Sequence, residues 1–190
     1  MTHMLSKTNL LLAVPPTEMM AAQGFGLTLA HMAYRVGGGP HLFRANLPVP
    51  VRGGVMLIDD AGFDGRGDPA PFCQEVVREC AARGYTGVIC DFDRHLPLLG
   101  QVIAGLSPLL AKRGWPLYVT EAYAPFSDSA IALIPSALSG GSLQQRLQEA
   151  VERFGAARVA LAVERVAEDF FLPSPTGQGS RVFMLERRGS

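Results

Sequence analysis

The run Gly84-Tyr85-Thr86-Gly87-Val88-Ile89-Cys90-Asp91-Phe92-Asp93 constrains the fold more than any other part of this chain. A glycine able to stop a helix precedes an apolar segment, and two acids close it. Side chains alternate faces along a strand, so Ile89, Asp91 and Asp93 point one way, and the apolar Val88, Cys90 and Phe92 point the other. Acids two residues apart then lie about 7 Å from each other on one face. A buried strand with carboxylates at its C-terminal tip is where an α/β barrel gathers its chemistry. A solvated strand end, or a cap for the next helix, accounts for the same acids equally well.

The rest of the chain is readable around that run. Leu10 to Val14 form an apolar strand. Thr17 is placed to cap a helix that extends to about Val36, weakened by Gly24 and Gly26 and stopped by Gly37-Gly38-Gly39-Pro40. A short strand follows over 42–46, and Leu47-Pro48-Val49-Pro50 is extended. Gly54 to Asp60 is a buried strand ending in Asp59 and Asp60. The Gly-rich loop after it carries Phe63, Asp64 and Arg66, and its ligand spacing is wrong for calcium. Asp68 caps the next helix with Pro69 at its first position, and Phe72, Val76, Val77, Cys80 and Ala81 form its apolar stripe.

Beyond Asp93, a helix begins near Pro97, with Pro108 expected to kink or split it. His95, just before it, is a candidate proton carrier, although a lone His at a helix start more often serves structure. Pro116 to Tyr123 is a strand with Glu121 and Tyr123 on one face at its end. Ala130 to Pro135 and Val159 to Glu164 are further strands, separated by a helix with Ser142 and Gln145 at capping-box spacing. The tail from Phe170 is irregular, with a short apolar run at 182–185.

These elements predict one α/β domain over residues 1–190: an incomplete or trimmed (β/α)8 barrel of about seven parallel strands with some helices missing. An open doubly wound sheet is the alternative, but no G-x-G-x-x-G follows a strand.

Seventeen basic residues balance seventeen acidic ones, which gives no reason to expect nucleic acid or an anionic membrane surface as a partner. No apolar run reaches the length of a membrane span, and Asn9 to Val14 is short for a signal segment, so the expected setting is the cytoplasm. The three cysteines, at 73, 80 and 90, are an odd number and read as packed thiols. Neither a metal nor a cofactor site is expected, because the four His are scattered and no C-x-x-C occurs.

The run Thr86 to Asp93 resembles the fourth-strand signature of family 18 glycoside hydrolases, the chitinase-like barrels, roughly D-G-[hydrophobic]-D-[hydrophobic]-D-[aromatic]-E. Gly87, Asp91 and Phe92 match. Ile89 stands where that family has its first inner Asp, and Asp93 where it has its catalytic Glu. The resemblance implies substrate-assisted cleavage of an N-acetylglucosamine-containing glycan, with Asp93 as the acid, Asp91 orienting the acetamido group and Glu121 close by. Tyr123, Asp59, Asp60 and Phe63 are the expected substrate-binding residues. A non-catalytic barrel descendant that binds a glycan or a protein partner is the second expectation, because the altered motif falls on the chemically important positions. A phosphate-handling barrel rests only on Gly-rich loops.

Overall fold

The computed structural model describes residues 10–23, 27–135, 142–164 and 181–184. Gly24, Gly26, the loop Ser139-Gly140-Gly141 and most of the tail beyond Phe170 lie outside the described residues. The strands are β1 (Leu10–Val14), β2 (Thr28–Gly37), β3 (His41–Arg44), β4 (Val55–Asp59), β5 (Val88–Asp91), β6 (Leu117–Thr120), β7 (Ile131–Pro135), β8 (Val159–Glu164) and β9 (Arg181–Met184). The helices are α1 (Met19–Ala22), α2 (Pro69–Arg83), α3 (Pro97–Lys112) and α4 (Leu143–Phe154).

The nine strands of the described residues belong to one sheet, ordered β1-β9-β8-β7-β6-β5-β4-β2-β3. Seven of them, β1, β2, β4, β5, β6, β7 and β8, run parallel. β9 is antiparallel to both β1 and β8. Strand β1 bonds β9 on one side and β2 on the other, so the sheet curls back onto its own first strand. The fold is thus α/β, with a curled parallel sheet and helices outside it.

The two faces of the sheet carry different side chains. Toward the inside of the curl point Leu11, Ala13, Ala30, Val55, Leu57, Ile89, Tyr118, Leu133, Ala160 and Ala162. The four alanines all come from β1, β2 and β8, and most of the large residues come from β4 to β7, with Leu11 of β1 the exception. Size complementarity of this kind fills a narrow interior without voids. Between sheet and helices lies a larger cluster that includes Met56, Ile58, Phe72, Val76, Cys80, Val88, Cys90, Phe92, Leu99, Ile103 and Leu106. The alternation read from residues 88–92 therefore holds: Ile89 faces inward, and Val88, Cys90 and Phe92 face the helices.

The β4-α2-β5 unit follows its sequence signals. The Asp68 carboxylate accepts from the Ala70 N–H at the start of α2, with Pro69 at the first position. Gly84 ends it in the left-handed region at φ 87°, which an L side chain rarely adopts. In α4 the Ser142 hydroxyl accepts from the Gln145 N–H at 3.1 Å, as its spacing implies.

Several expectations are corrected. The helix expected from Thr17 to Val36 is only Pro16 to Ala22, a 3-10 turn followed by α1, and the long strand β2 occupies 28–37. Most of β2 is buried, with a register shift between His31 and Tyr34. Burial on both faces and a bulge erase the two-residue period that marks a strand. Gly37 to Pro40 is accordingly a hairpin turn, not a helix stop. The segment expected as a parallel strand at 42–46 is β3, paired antiparallel with β2. Helix α3 runs unbroken past Pro108, whose ring sits on the exposed side. Strand β6 stops at Thr120, and Glu121 and Tyr123 both lie in a 3-10 helix over Glu121–Phe126, so they share no strand face.

Candidate functional site

Parallel strands bring their C-terminal tips to one end of the sheet, and the inner face there carries Arg35, Asp59 and Asp91. Asp59 and Asp91 follow the inward-facing Leu57 and Ile89 by two residues, and they are register partners across β4 and β5. Both are half-buried. On the other side of Asp59, Arg35 is its register partner across β2 and β4. The Arg35 Nε donates to Asp59 Oδ1 at 2.9 Å, and the two side chains are 55% and 37% exposed. The same oxygen accepts from the Ala61 N–H at 3.0 Å, which fixes the carboxylate orientation.

On the far side of β5, the Thr120 hydroxyl accepts from the Phe92 N–H at 3.0 Å and donates to the Cys90 carbonyl at 3.4 Å. This bond holds the tip of β5, and with it Asp91, against β6. Asp93 lies two residues past the strand end and is exposed, and its backbone N–H donates to Asp60 Oδ1 at 3.2 Å. Glu121 begins the 3-10 helix after β6 and is half-buried.

The remaining expected substrate contacts are occupied by the fold. Asp60 is 3% exposed. Its carboxylate accepts from the backbone of Asp93 and, at 2.9 Å, from the Arg94 N–H. Arg94 returns the contact by donating to the Asp60 carbonyl at 2.7 Å and to the Phe63 carbonyl. Phe63 is buried in the cluster between sheet and helices, so its ring offers no platform to solvent. Tyr123 is buried too. Its hydroxyl donates to the Arg94 carbonyl and accepts from the Leu96 N–H at 3.1 Å, and burial raises its pKa. The exposed His95 ring stacks on Tyr123 with centroids 6.4 Å apart. Asp60, Phe63 and Tyr123 therefore shape the β5 loop that carries Asp93 and His95.

A second pair of loops forms the rim. The hairpin turn after β2 touches the Gly-rich loop after β4 through a bridge between Gly39 and Gly67. A Cβ on Gly67 would lie 2.1 Å from the Gly39 carbonyl oxygen, so this contact requires glycine.

Among the described residues, no three His, Cys, Asp or Glu side chains are grouped to hold a metal. The three cysteines are buried and unpaired, and burial pushes the Cys73 thiol up to about 11 and Cys80 up to about 12. Such thiols stay protonated at neutral pH and make poor nucleophiles. No helix of the described residues is long and apolar enough to cross a membrane.

The residue the sequence reading missed is Arg35. It lay inside a misread helix; the signal that finds it is the triple glycine between two extended runs, which marks a hairpin and hence a strand end. No family model matches this chain, and no curated protein or solved structure matches it either.

Proposed function

We propose that this chain is a glycoside hydrolase-like protein built on a trimmed (β/α)8-type barrel, acting on an N-acetylated glycan at the C-terminal end of its parallel strands. The observation that carries the reading is the register pairing of Asp59 with Asp91 on the inner face at the tips of β4 and β5, with Asp93 two residues beyond. Carboxylates at strand tips of a curled parallel sheet are the arrangement on which barrel enzymes build their sites. The partial likeness of Thr86 to Asp93 to the family 18 signature adds the substrate class.

In this reading Asp93 is the general acid. It donates its proton to the leaving oxygen, while Asp91 orients the acetamido group whose carbonyl oxygen attacks the anomeric carbon. Glu121, at the neighbouring tip, contributes to the same cavity. Asp93 is one methylene shorter than the Glu of the signature, and a displacement of about 1 Å costs on the order of a hundredfold in rate.

A second reading, a barrel descendant that binds a glycan without cleaving it, is favoured by the exposure of Asp93. A general acid working near neutral pH needs a partly desolvated carboxyl. The two readings separate in one assay: hydrolysis of an N-acetylglucosamine oligomer by wild type, Asp93→Asn and Asp93→Glu. The hydrolase reading expects loss of turnover in Asp93→Asn with binding kept, and an equal or higher rate in Asp93→Glu. Equal rates in wild type and Asp93→Asn remove Asp93 as the acid. Binding without turnover in all three proteins moves the function to the second reading.

A further inference from the structure

We propose that Arg35 makes this site selective for a glycan bearing a carboxylate. The inference rests on the reading of the strand tips as a glycan site and adds the charge of the substrate to it.

Arg35 stands on the inner side of β2, at the level of Asp59 and next to the Asp59–Asp91 pair. It is bound through one nitrogen: Nε donates to Asp59 Oδ1 at 2.9 Å. That contact orients the guanidinium plane and leaves the two terminal nitrogens as the outward edge of the group. The side chain is 55% exposed, so that edge is open to an incoming group. Asp59 is itself held by the Ala61 N–H, so the brace does not swing with its partner. A guanidinium fixed at Nε presents its terminal nitrogens as a planar fork, which fits the two oxygens of a carboxylate in a bidentate pair. Asp59 thereby becomes a positioning residue for Arg35, and its own Oδ1 is already filled by two donors.

The acids beside Arg35 sharpen the selectivity. Asp91 and Asp93 carry negative charge into the same mouth, so an anion spread over the whole substrate is repelled there. A carboxylate placed on the sugar at the β2 side meets the Arg35 guanidinium and lies away from β5. A free anion lacks the sugar contacts that would set it in that place.

The test compares two probes with the same backbone: an N-acetylglucosamine tetramer, and the same tetramer with the C6 hydroxymethyl group of a single sugar oxidised to a carboxylate. Binding to the full chain is measured by calorimetry at low and at moderate salt. Wild type is expected to bind the oxidised tetramer about tenfold more tightly than the neutral one, the size of a charge-assisted pair in a half-exposed setting. The preference is expected to shrink with salt. Arg35→Met is expected to bind both probes equally, Arg35→Lys to keep part of the preference, and Asp59→Asn to bring the two affinities closer together whatever its effect on the neutral probe. Thermal melts of the three variants check folding, and Arg35→Lys serves as the comparison if Arg35→Met melts early.

Equal binding of both probes by wild type overturns the proposal and leaves the glycan reading standing. A preference that survives Arg35→Met overturns it as well. Failure of both probes to bind overturns the glycan reading and this inference together. Inorganic phosphate, titrated alone, is expected to bind far more weakly than the oxidised tetramer; equal affinity makes Arg35 a site for a free anion and also overturns the proposal.

Discussion

Asp60 and Arg94 hold each other through main chain and side chain at once: the Asp60 carboxylate accepts from the Arg94 N–H at 2.9 Å, and the Arg94 guanidinium donates to the Asp60 carbonyl at 2.7 Å. The two residues sit on the loops after β4 and β5, so this reciprocal clasp fixes one strand-tip loop against the next. Asp60→Ala is expected to destabilise the protein by about 2–4 kcal/mol, because two backbone donors lose their acceptor and the guanidinium loses its counter-ion. Urea unfolding followed by circular dichroism measures it. A loss under about 0.5 kcal/mol, the range of an ordinary surface substitution, would show that the clasp contributes little.

His31 gives the molecule an acid-sensitive point. It is buried on β2 with Nδ1 3.0 Å from the Tyr85 hydroxyl, and burial lowers its pKa from 6.5 to about 4. The folded state therefore refuses a proton that the unfolded state accepts below 6.5. Stability is complete above pH 6.5 and is lost as pH falls toward 4, by up to about 3 kcal/mol. Unfolding free energies at pH 7.5 and pH 4.5 are expected to differ less in His31→Gln than in wild type; an unchanged difference would assign the acid sensitivity elsewhere.

Thr120 links β6 to the tip of β5. Thr120→Val keeps the shape and removes the hydroxyl that accepts the Phe92 N–H at 3.0 Å. A cost of about 1–2 kcal/mol is expected. Hydrogen exchange at the Phe92 amide should accelerate while the centre of β4 is unaffected. Unchanged protection of Phe92 would mean that the loop holds itself without Thr120.

Glycines of the rim are expected to differ in their tolerance of a methyl group. Gly67, at φ 115°, would place a Cβ on the Gly39 carbonyl, whereas Gly62, at φ 82°, has open space around it. Gly62→Ala is expected to cost about 1 kcal/mol for the backbone conformation alone, and Gly67→Ala at least about 3 kcal/mol because the two loops must part. Melting temperatures of the two variants check this, and equal shifts would dismiss the loop contact.

The sequence was most legible where local chemistry and burial agree. Asp68, the stripe of α2 and Gly84 bound one helix, and the apolar run to Asp91 follows from it. Residues 28–37 were illegible for a physical reason: Thr28-Leu29-Ala30-His31-Met32-Ala33-Tyr34 mixes helix formers with a strand buried on both faces, and the bulge breaks the alternation. Tertiary pairing with β1 and β4 decides that segment, and no local signal reports it. At the strand tips, Asp59 and Asp91 were readable from their position alone. The occupation of Asp60, Phe63 and Tyr123 was not, because their partners lie 27 to 34 residues away in the chain.

The bulge in β2 also sets the electrical character of the strand tips. Ahead of it Met32 packs inside the curl, while beyond it Tyr34 turns out toward Glu79 and Arg35 turns in toward Asp59. Were the same residues to run as a regular strand without the bulge, the phase would reverse: a phenol would face the acids and the guanidinium would hang outside the sheet. A single-residue deletion that removes the bulge would restore plain alternation and leave Arg35 beside Asp59, so the cation at these tips depends on the extra residue being accommodated as a bulge or absent altogether.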